Sequence, residues 1–381
     1  MISGKHKNIL SILIMLTLGI CILAVPLVFH KPPPASAQEL FRQDISHLKE
    51  ANFYGKLFKK EVECRLCPRR CLIQDSERGD CQVRQNQEGI LYSLVYGKPC
   101  SFSIEPIEKA PLFHFLPGHQ RLCIATAGCN LRCKYCQNWQ ISQKKPEEVE
   151  HLELSPQQVV TAALNYGAES ICFTFSEPII FYEYMYDIAK LAKENGLKTS
   201  MVSNGYIEPE PLEYLLKVLD AVKIDLKGFT EEFYQNITLG ELEPVLAALK
   251  IIKQQGIWLE IVNLLVPTLN DDPEDIRRMC EWIKEELGTE VPLHFSRFFP
   301  MYRLTNLPAT PVTALEKAHA VAIASGLRYV YVGNIPGHVY NSTFCPNCGK
   351  KLIQRVQFTV SQNNLSSGRC PFCGEVIAGF W

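Results

Sequence analysis

The sequence has no excess of charge of either sign, no internal repeat and no low-complexity tract. Its 39 lysine and arginine residues are balanced by 40 aspartate and glutamate residues, which gives a formal net charge of -1 at pH 7. This balance leaves no electrostatic basis for nucleic-acid binding. The chain does have length and apolar content, because 381 residues that are 47% hydrophobic can form one barrel and one or two small appended modules.

Cysteine is abundant, with 16 residues, and twelve of them fall into three groups. Grouped cysteines indicate metal binding. The groups are Cys64, Cys67, Cys71, Cys81 and Cys100; Cys129, Cys133 and Cys136; and Cys345, Cys348, Cys370 and Cys373. Cys123, Cys172 and Cys280 lie in apolar patterns, where a free cysteine behaves as a small hydrophobic residue, so we expect them in the core.

The middle group has the spacing CxxxCxxC in the run AGCNLRCKYCQNW. A structural zinc site or a closed iron-sulfur site needs four protein ligands, whereas three thiolates on a four-iron cluster leave one iron open to a small molecule. Half of a zinc knuckle and disulfide pairing are the alternatives. The context favours the cluster, because the loop follows LCIATAG, a predicted strand, and strand-end loops carry the sites of barrel enzymes.

From about residue 120 to 333, short apolar strands alternate with helical patterns, which is typical of a parallel sheet with crossover helices. Ser155 before Pro156 predicts a helix start, and Gly288 predicts a helix end. We expect an α/β fold, a partial (β/α)6 TIM-type barrel. Strands are predicted at 121–127, 170–175, 198–203, 220–227, 257–265 and 291–296, with 328–332 as a seventh, and a short polar helix is predicted near 43–58.

Polar side chains come at the predicted strand ends. In AVKIDLK, Lys223, Asp225 and Lys227 share one face and apolar residues the other. A charged row in a buried parallel strand costs on the order of several kcal/mol unless it is paired or used, so we expect it near the barrel mouth. A structural Lys-Asp-Lys network is the alternative. Other polar residues assigned to strand ends are Glu177, Asn204, His294 and Ser296. Such convergence is typical of barrel active sites.

The two terminal cysteine groups predict further metal sites. Cys64, Cys67, Cys71 and Cys81 are spaced for zinc or an auxiliary cluster, with a structural staple as the alternative. CPNC and CPFC, separated by 21 residues, are typical of a zinc ribbon around QRVQFTV, a predicted hairpin, and a rubredoxin-like iron is the alternative. We expect the ribbon to act as a metal-stabilised lid, or else to dock substrate or partners. Its ligands are Cys345, Cys348, Cys370 and Cys373.

The CxxxCxxC run, with Tyr135 before its last cysteine, resembles the signature of radical S-adenosylmethionine (SAM) enzymes. That resemblance implies a [4Fe-4S] cluster on Cys129, Cys133 and Cys136, with the amino and carboxylate groups of SAM on the fourth iron and Tyr135 near the adenine. Reductive cleavage of SAM would then supply a 5'-deoxyadenosyl radical that abstracts hydrogen from a substrate.

A narrower resemblance covers roughly residues 55 to 381 and is carried by ECRLCPRRC, LYSLVYGKPC, PIEKAPLFHFLPG, IATAGCNLRCKYCQNW, FTFSEPIIFYEY and DLKGF. These runs resemble the radical SAM enzymes of the AmmeMemoRadiSam system, which are similar to pyruvate formate-lyase activating enzymes. The resemblance implies that Glu177 binds the SAM amino group, although FSEP lacks the two glycines of the GGE-type motif. It places Ser203, Asn204 and Asp225 near SAM and ribose and makes Asp225 and Lys227 catalytic candidates.

The same resemblance implies Memo-like and AMMECR-like partner proteins and reduced flavodoxin or ferredoxin as electron donor. Two other hypotheses stay open. The chain is an activase that installs a glycyl radical on a partner enzyme, or it is a non-enzymatic, membrane-tethered metal protein that carries electrons or docks partners.

Residues Ile9 to Phe29 form a largely apolar, uncharged stretch of 21 residues, long enough to cross a bilayer as a helix. It predicts a membrane anchor followed by the proline-rich spacer KPPPASAQ, with a signal peptide ending at Ala35-Ser36-Ala37 as the alternative. The flanking positive charges do not decide the orientation. Because a reduced cluster and free thiols require a reducing compartment, we expect the catalytic body in the cytoplasm.

Four segments are expected in all. They are a membrane anchor and spacer at 1–38, a cysteine-rich module at 39–113, the barrel core at 114–335 and the ribbon at 336–381.

Overall fold

The structure, a computed structural model, describes residues 48–381. Its first part is two small antiparallel sheets, in the orders β1-β6-β5 and β2-β3-β4. The strands are β1 (Lys49–Glu50), β2 (Tyr54–Lys56), β3 (Val62–Cys64), β4 (Leu72–Ile73), β5 (Arg84–Gln87) and β6 (Ile90–Ser93). The polar helix predicted near 43–58 is wrong from residue 48 onward, because β1 and β2 pair with β6 and β3 there.

The central sheet has eight strands in sequential order. The first two are antiparallel and the other neighbours are parallel. The strands are β7 (Ser101–Pro106), β8 (Gln120–Ala125), β9 (Ser170–Phe173), β10 (Lys198–Ser203), β11 (Ala221–Asp225), β12 (Trp258–Leu265), β13 (Leu293–Arg297) and β14 (Val330–Gly333). All seven predicted strands are present, so the α/β sheet is confirmed. The sequence did not reveal β7, and the predicted boundary at 113 falls inside this sheet, between β7 and β8.

Helices connect the parallel strands as crossovers. The α-helices are α1 (Trp139–Ser142), α2 (Pro156–Asn165), α3 (Tyr182–Glu194), α4 (Pro209–Leu216), α5 (Glu231–Phe233), α6 (Glu243–Gln254), α7 (Pro273–Trp282) and α8 (Val312–Ala324). Ser155 caps α2 by accepting a hydrogen bond from the Gln158 amide, as predicted. Short 3-10 segments cover Phe58–Lys60, Ile107–Lys109, Pro146–Glu148, Pro178–Phe181 and Val339–Asn341, and π-helical turns cover Tyr234–Thr238 and Ile283–Leu287. The second π-helical turn ends at Gly288, the predicted stop.

The membrane-anchored fold and the membrane localisation predicted from the sequence are corrected by the structure. Within residues 48–381, no helix combines the length and apolar character that a membrane span requires. The longest single helices, α3 and α8, have 13 residues each, which is about 20 Å of helix against about 30 Å of hydrocarbon. The stretch Ile9 to Phe29 itself lies outside the described residues.

The C-terminal module is a three-stranded sheet that packs at the amino-terminal ends of the barrel strands. It contains β15 (Thr343–Phe344), β16 (Lys351–Val356) and β17 (Thr359–Asn363), and the last two form the predicted hairpin. The Thr343 and Tyr331 hydroxyls lie 2.9 Å apart, and Arg355 donates to the Phe113 carbonyl at 2.7 Å. The module therefore closes the end of the barrel opposite the loop that carries Cys129.

The N-terminal sheets are fastened to the barrel by a buried ion pair. Arg84 on β5 donates to both carboxylate oxygens of Glu183 on α3, at 2.6 and 2.8 Å, and both side chains are 1% exposed. Glu183 also accepts the Asn52 amide at 2.8 Å. A buried pair of this kind is strongly destabilising when one partner alone is removed, because the other charge stays buried.

Glu183→Leu is therefore expected to lower the free energy of unfolding by about 3–5 kcal/mol, measured by urea unfolding followed by far-UV circular dichroism. Asp187→Leu, one turn further along α3, is the control, because Asp187 is partly exposed. Its pair with Lys49 and its hydrogen bond from the Tyr96 hydroxyl should together contribute only about 1–2 kcal/mol. Equal losses from the two variants would contradict the anchoring role of Arg84 and Glu183.

Candidate active site at the barrel mouth

Cys129, Cys133 and Cys136 lie on a loop, residues 126–138, between β8 and α1 that contains no helix or strand. We call it the cysteine loop. Its backbone is held by other segments: the Arg132 and Lys134 amides each donate at 2.9 Å, to the carbonyls of Thr238 and Ile237. The Gly128 amide donates to the Ile141 carbonyl at 2.9 Å. The conformation of the loop is therefore fixed by its surroundings.

Gly128 is one point at which the cysteine loop contacts the N-terminal part of the chain. Its φ is +97°, in the left-handed region that glycine tolerates. A Cβ atom there would lie 2.6 Å from Val83 Cγ1 and 2.9 Å from the Cys81 carbonyl oxygen. Both the backbone conformation and the close approach thus require glycine.

The three thiols are free and lie in largely desolvated surroundings. Cys129 Sγ accepts the Leu131 amide at 3.4 Å, and Cys136 Sγ lies 3.1 Å from the Ser142 hydroxyl. Burial raises the pKa of Cys133 to about 12, although the Lys227 ammonium opposes the shift. A bound metal deprotonates such thiols outright. The disulfide alternative is wrong for these three residues.

Glu177 is brought next to this loop by the turn after β9. Its carboxylate accepts the Ser203 hydroxyl at 2.7 Å, the Asn204 amide at 2.8 Å and the Ile179 amide at 3.2 Å. Burial raises the pKa of Glu177 to about 7, against the effect of these three donors. The Asn204 side chain lies 3.9 Å from Cys129 Sγ. The structure thus joins Glu177, Ser203 and Asn204 at one place beside the cysteine loop.

The charged row on β11 forms a network and also faces the cysteine loop. Asp225 accepts from Lys223 and, at 2.9 Å, from Lys227. Burial opposes ionisation, but the two lysines outweigh it and lower the pKa of Asp225 to about 2. Asp225 and Lys227 are also the charges next to the Cys133 thiol. The two sequence alternatives, an ion network and a charged mouth, therefore both describe this strand.

Tyr135 lies within this charged group. Its ring is buried between Phe233 and Phe298. Its hydroxyl has no hydrogen-bond partner among the described residues. A buried hydroxyl of this kind is a ready contact for a ligand.

His294 does not join the site. It is the second residue of β13, toward the amino-terminal end of the barrel, where its Nε2 lies 2.7 Å from the Glu260 carboxylate. The expectation that it ends its strand is wrong, since the strand runs on to Arg297. Ser296 is buried beside Gly333.

The C-terminal cysteines are gathered as one ion would require. Their four Sγ atoms all lie within 4.8 Å of one another, with Cys345 to Cys373 at 3.6 Å and Cys348 to Cys370 at 3.7 Å. Tetrahedral zinc with Zn–S near 2.3 Å places its sulfurs roughly 3.8 Å apart. The donor set fits a tetrahedral ion.

Several residues of the site were missed from the sequence. Asn130 accepts the Asn204 side chain at 2.9 Å and donates to the Tyr206 carbonyl at 2.7 Å. Tyr234, on the first π-helical turn, accepts the Lys227 amide at 3.1 Å. The polar residues inside and directly after the CxxxCxxC run could have been predicted as site residues from their position. No sequence pattern indicated Tyr234.

The sequence of this chain is similar to those of known proteins. A family model described as the Radical SAM superfamily matches residues 123–283. The chain is 30% identical over 179 residues to the pyruvate formate-lyase-activating enzyme of Clostridium pasteurianum, covering 45% of this chain and 72% of that protein. The chain belongs to the radical SAM superfamily.

Two further similarities accompany this assignment. An uncharacterized protein of Methanocaldococcus jannaschii is 48% identical over 332 residues, covering 87% of this radical SAM chain and 99% of its relative. A radical SAM methyltransferase from Sphaerobacter thermophilus, of known structure, has a TM-score of 0.49 and 12% identity, covering 84% of this chain and 85% of that one.

Members of the superfamily are enzymes that cleave SAM, so this radical SAM chain is an enzyme, as predicted, and the non-enzymatic hypothesis is wrong. The superfamily implies a [4Fe-4S] cluster and SAM. The residues present fit both groups: three free thiols share one loop, and a buried carboxylate and an unpartnered tyrosine hydroxyl lie beside them.

Gly128→Ala should reduce the iron bound by this radical SAM enzyme, because the added Cβ collides with Val83 and the Cys81 carbonyl and displaces the cysteine loop. Iron and sulfide per chain, measured after anaerobic reconstitution, check this. Gly196→Ala is the matched control: its φ is also positive, at +78°, but a Cβ there meets nothing within 4 Å. If both variants bind iron like the wild type, contact at Gly128 does not position the loop.

Proposed function

We propose that this chain is a radical SAM enzyme of the AmmeMemoRadiSam system that reductively cleaves SAM and abstracts hydrogen from a substrate. The observation that carries the proposal is the meeting of three free thiols on one loop with Glu177 and with the pair Asp225 and Lys227. When bound, the [4Fe-4S] cluster and SAM supply one-electron cleavage of a carbon-sulfur bond, which yields methionine and a 5'-deoxyadenosyl radical.

Cys129, Cys133 and Cys136 are the proposed cluster ligands. Three thiolates satisfy three irons of a four-iron cluster and leave the fourth for the methionine end of SAM. Glu177 lies next to Cys129, so its carboxylate would be available to a SAM molecule bound at that cluster. We assign it to the SAM amino group, with Ser203 and Asn204 orienting it through their hydrogen bonds.

Asp225 and Lys227 are proposed to bind the ribose and to neutralise each other's charge at the barrel mouth. Asp225 is an acceptor that stays ionised, because two lysines face it. Tyr135 offers its hydroxyl and ring to the adenine side. The burial of these groups keeps water from the reacting atoms, which a reactive radical requires.

We expect anaerobically reconstituted enzyme, given dithionite and SAM, to release 5'-deoxyadenosine, measured by liquid chromatography. Cys133→Ala should abolish the product, since two thiolates cannot hold the cluster with one open iron. Cys280→Ala is the control, because Cys280 lies in the core on α7, and it should keep wild-type turnover. Equal product from Cys133→Ala and the wild type would refute the proposal.

A second candidate function is supported by the similarity to the Clostridium pasteurianum pyruvate formate-lyase-activating enzyme. In this hypothesis the hydrogen comes from a glycine of a partner enzyme. The distinguishing result is a glycyl-radical EPR signal on a co-expressed glycyl radical enzyme, dependent on SAM and on Cys133. Release of 5'-deoxyadenosine without that signal, for every partner tried, favours the first proposal.

Partners and the remaining metal are proposed on narrower grounds. The motif resemblance supports Memo-like and AMMECR-like proteins as partners and reduced flavodoxin or ferredoxin as electron donor. The sulfur spacing of the C-terminal module supports zinc at Cys345, Cys348, Cys370 and Cys373. Because this module closes the amino-terminal end of the barrel, we assign zinc a structural role there.

A further inference from the structure

We propose that Cys64, Cys67, Cys71 and Cys81 bind a second [4Fe-4S] cluster, separate from the one assigned to the cysteine loop. The sequence left zinc, a cluster and a structural staple open for these residues. The structure discriminates among them through sulfur spacing, backbone donors, a buried arginine and the position of the group.

The four thiols converge. Cys64 and Cys71 are joined by a hydrogen bond from the Cys64 amide to the Cys71 carbonyl at 2.9 Å. Cys64, Cys81 and Cys71 lie close enough to Cys67 to act on it electrostatically, and Cys64 and Cys71 act on Cys81 in the same way. All four are free cysteines. They lie together without the bonds that a disulfide staple would need.

The separation of their sulfur atoms differs from that of ligands around a single ion. Among residues 48–381, the C-terminal group is the one set of three or more metal-binding side chains gathered within 4.8 Å. The N-terminal group does not meet that condition, and neither does the set Cys129, Cys133 and Cys136. A cubane holds its thiolates farther apart than one ion does, because each thiolate binds a different iron. The N-terminal group and the cysteine loop are thus both spaced more widely than the C-terminal group, as a cluster requires and a single ion does not.

Backbone amides already point at these sulfurs. The Arg69 amide lies near the Cys67 thiol and the Val83 amide near the Cys81 thiol, and Cys71 Sγ accepts the Asp80 amide at 3.4 Å. In the first two cases the donor lies two residues after the cysteine, as with Leu131 and Cys129 in the cysteine loop. Such donors stabilise thiolate charge and tune the potential of iron-sulfur clusters.

Arg84 supplies a second, independent indication of a bound anion. Its side chain is 1% exposed, and its charge acts on Cys64 and Cys81. Two of its nitrogens are used by Glu183 and Asn52, but Nε has no hydrogen-bond partner among the described residues. An unpartnered buried donor costs about 1–3 kcal/mol. A cluster on four thiolates is anionic, and its sulfurs would supply acceptors on the side of Arg84 that faces Cys64 and Cys81.

The position of the group fits a redox site. Cys67 and Cys71 are partly exposed, so one side of the group is open to solvent. On the other side, the Cys81 carbonyl lies against Gly128, and Arg132 of the cysteine loop donates to the Asp80 carbonyl. The two cluster sites are thus in direct backbone contact.

The experiment removes the first cluster and asks whether another remains. The variant Cys129→Ser/Cys133→Ser/Cys136→Ser is purified and reconstituted anaerobically. It should retain about four iron and four sulfide per chain, roughly half the wild-type content, and show the EPR signal of a reduced four-iron cluster that SAM leaves unchanged. Because the readout is metal content and spectrum in a variant that lacks the SAM site, loss of SAM cleavage does not affect it.

Adding Cys71→Ser to that variant should remove the remaining iron. Adding Cys100→Ser is the matched control and should leave it in place, since Cys100 lies against Ala127 and Val149, apart from the other four. Far-UV circular dichroism and zinc on the C-terminal ribbon, measured on the same samples, show that each variant is folded. A folded triple variant with no iron, or with a second zinc per chain in its place, overturns the proposal.

Discussion

The cysteine loop has no secondary structure of its own, and much of the fold serves to hold it. Its amides bond to the end of the first π-helical turn at Ile237 and Thr238, and the Arg303 amide donates to the Lys134 carbonyl at 2.8 Å. Arg69 of the N-terminal sheets donates to the Asn130 carbonyl at 3.0 Å. A loop without helix or strand bonds of its own must take its conformation from neighbouring segments. This explains why the N-terminal sheets are attached to the barrel by an ion pair as deeply buried as Arg84 and Glu183.

Charged side chains are buried at both ends of the barrel, and different contacts offset the cost of burial at each end. At the mouth, Lys223, Asp225 and Lys227 neutralise one another and leave Lys227 facing Cys133. At the amino-terminal end, burial opposes the charge of Glu260, but His294 and the amides of Phe113 and His114 outweigh it and lower its pKa to about 2. The C-terminal module covers that end and excludes water from it.

The sequence predicted those features that are local patterns. Seven strands followed from apolar alternation, the site loop from CxxxCxxC, and the hairpin and helix caps from single residues. Contacts distant in sequence left no such pattern: the pair Arg84 and Glu183 joins residues 99 apart, and Tyr234 reaches Lys227 from a π-helical turn. His294 was misplaced because strand ends are poorly defined by composition, and an error of three residues moves a side chain from one end of the barrel toward the other. The helix predicted near residue 48 failed because strand pairing overrode local helix preference.

The run FSEP, which lacks the two glycines of the GGE-type motif, makes a tight turn at Phe175. Phe175 has a φ of +65°, a left-handed conformation that costs a residue with a side chain roughly 1–2 kcal/mol. That cost is offset by bonds on both sides of the residue: the Asn138 side chain donates to the Phe175 carbonyl at 2.7 Å, and the Ser176 amide donates to the Thr174 carbonyl at 2.9 Å. Asn138 ends the cysteine loop, so the segment that carries the thiols also holds the turn that aims Glu177. A phenylalanine can follow this backbone path because the cysteine loop itself supplies a hydrogen bond to its carbonyl.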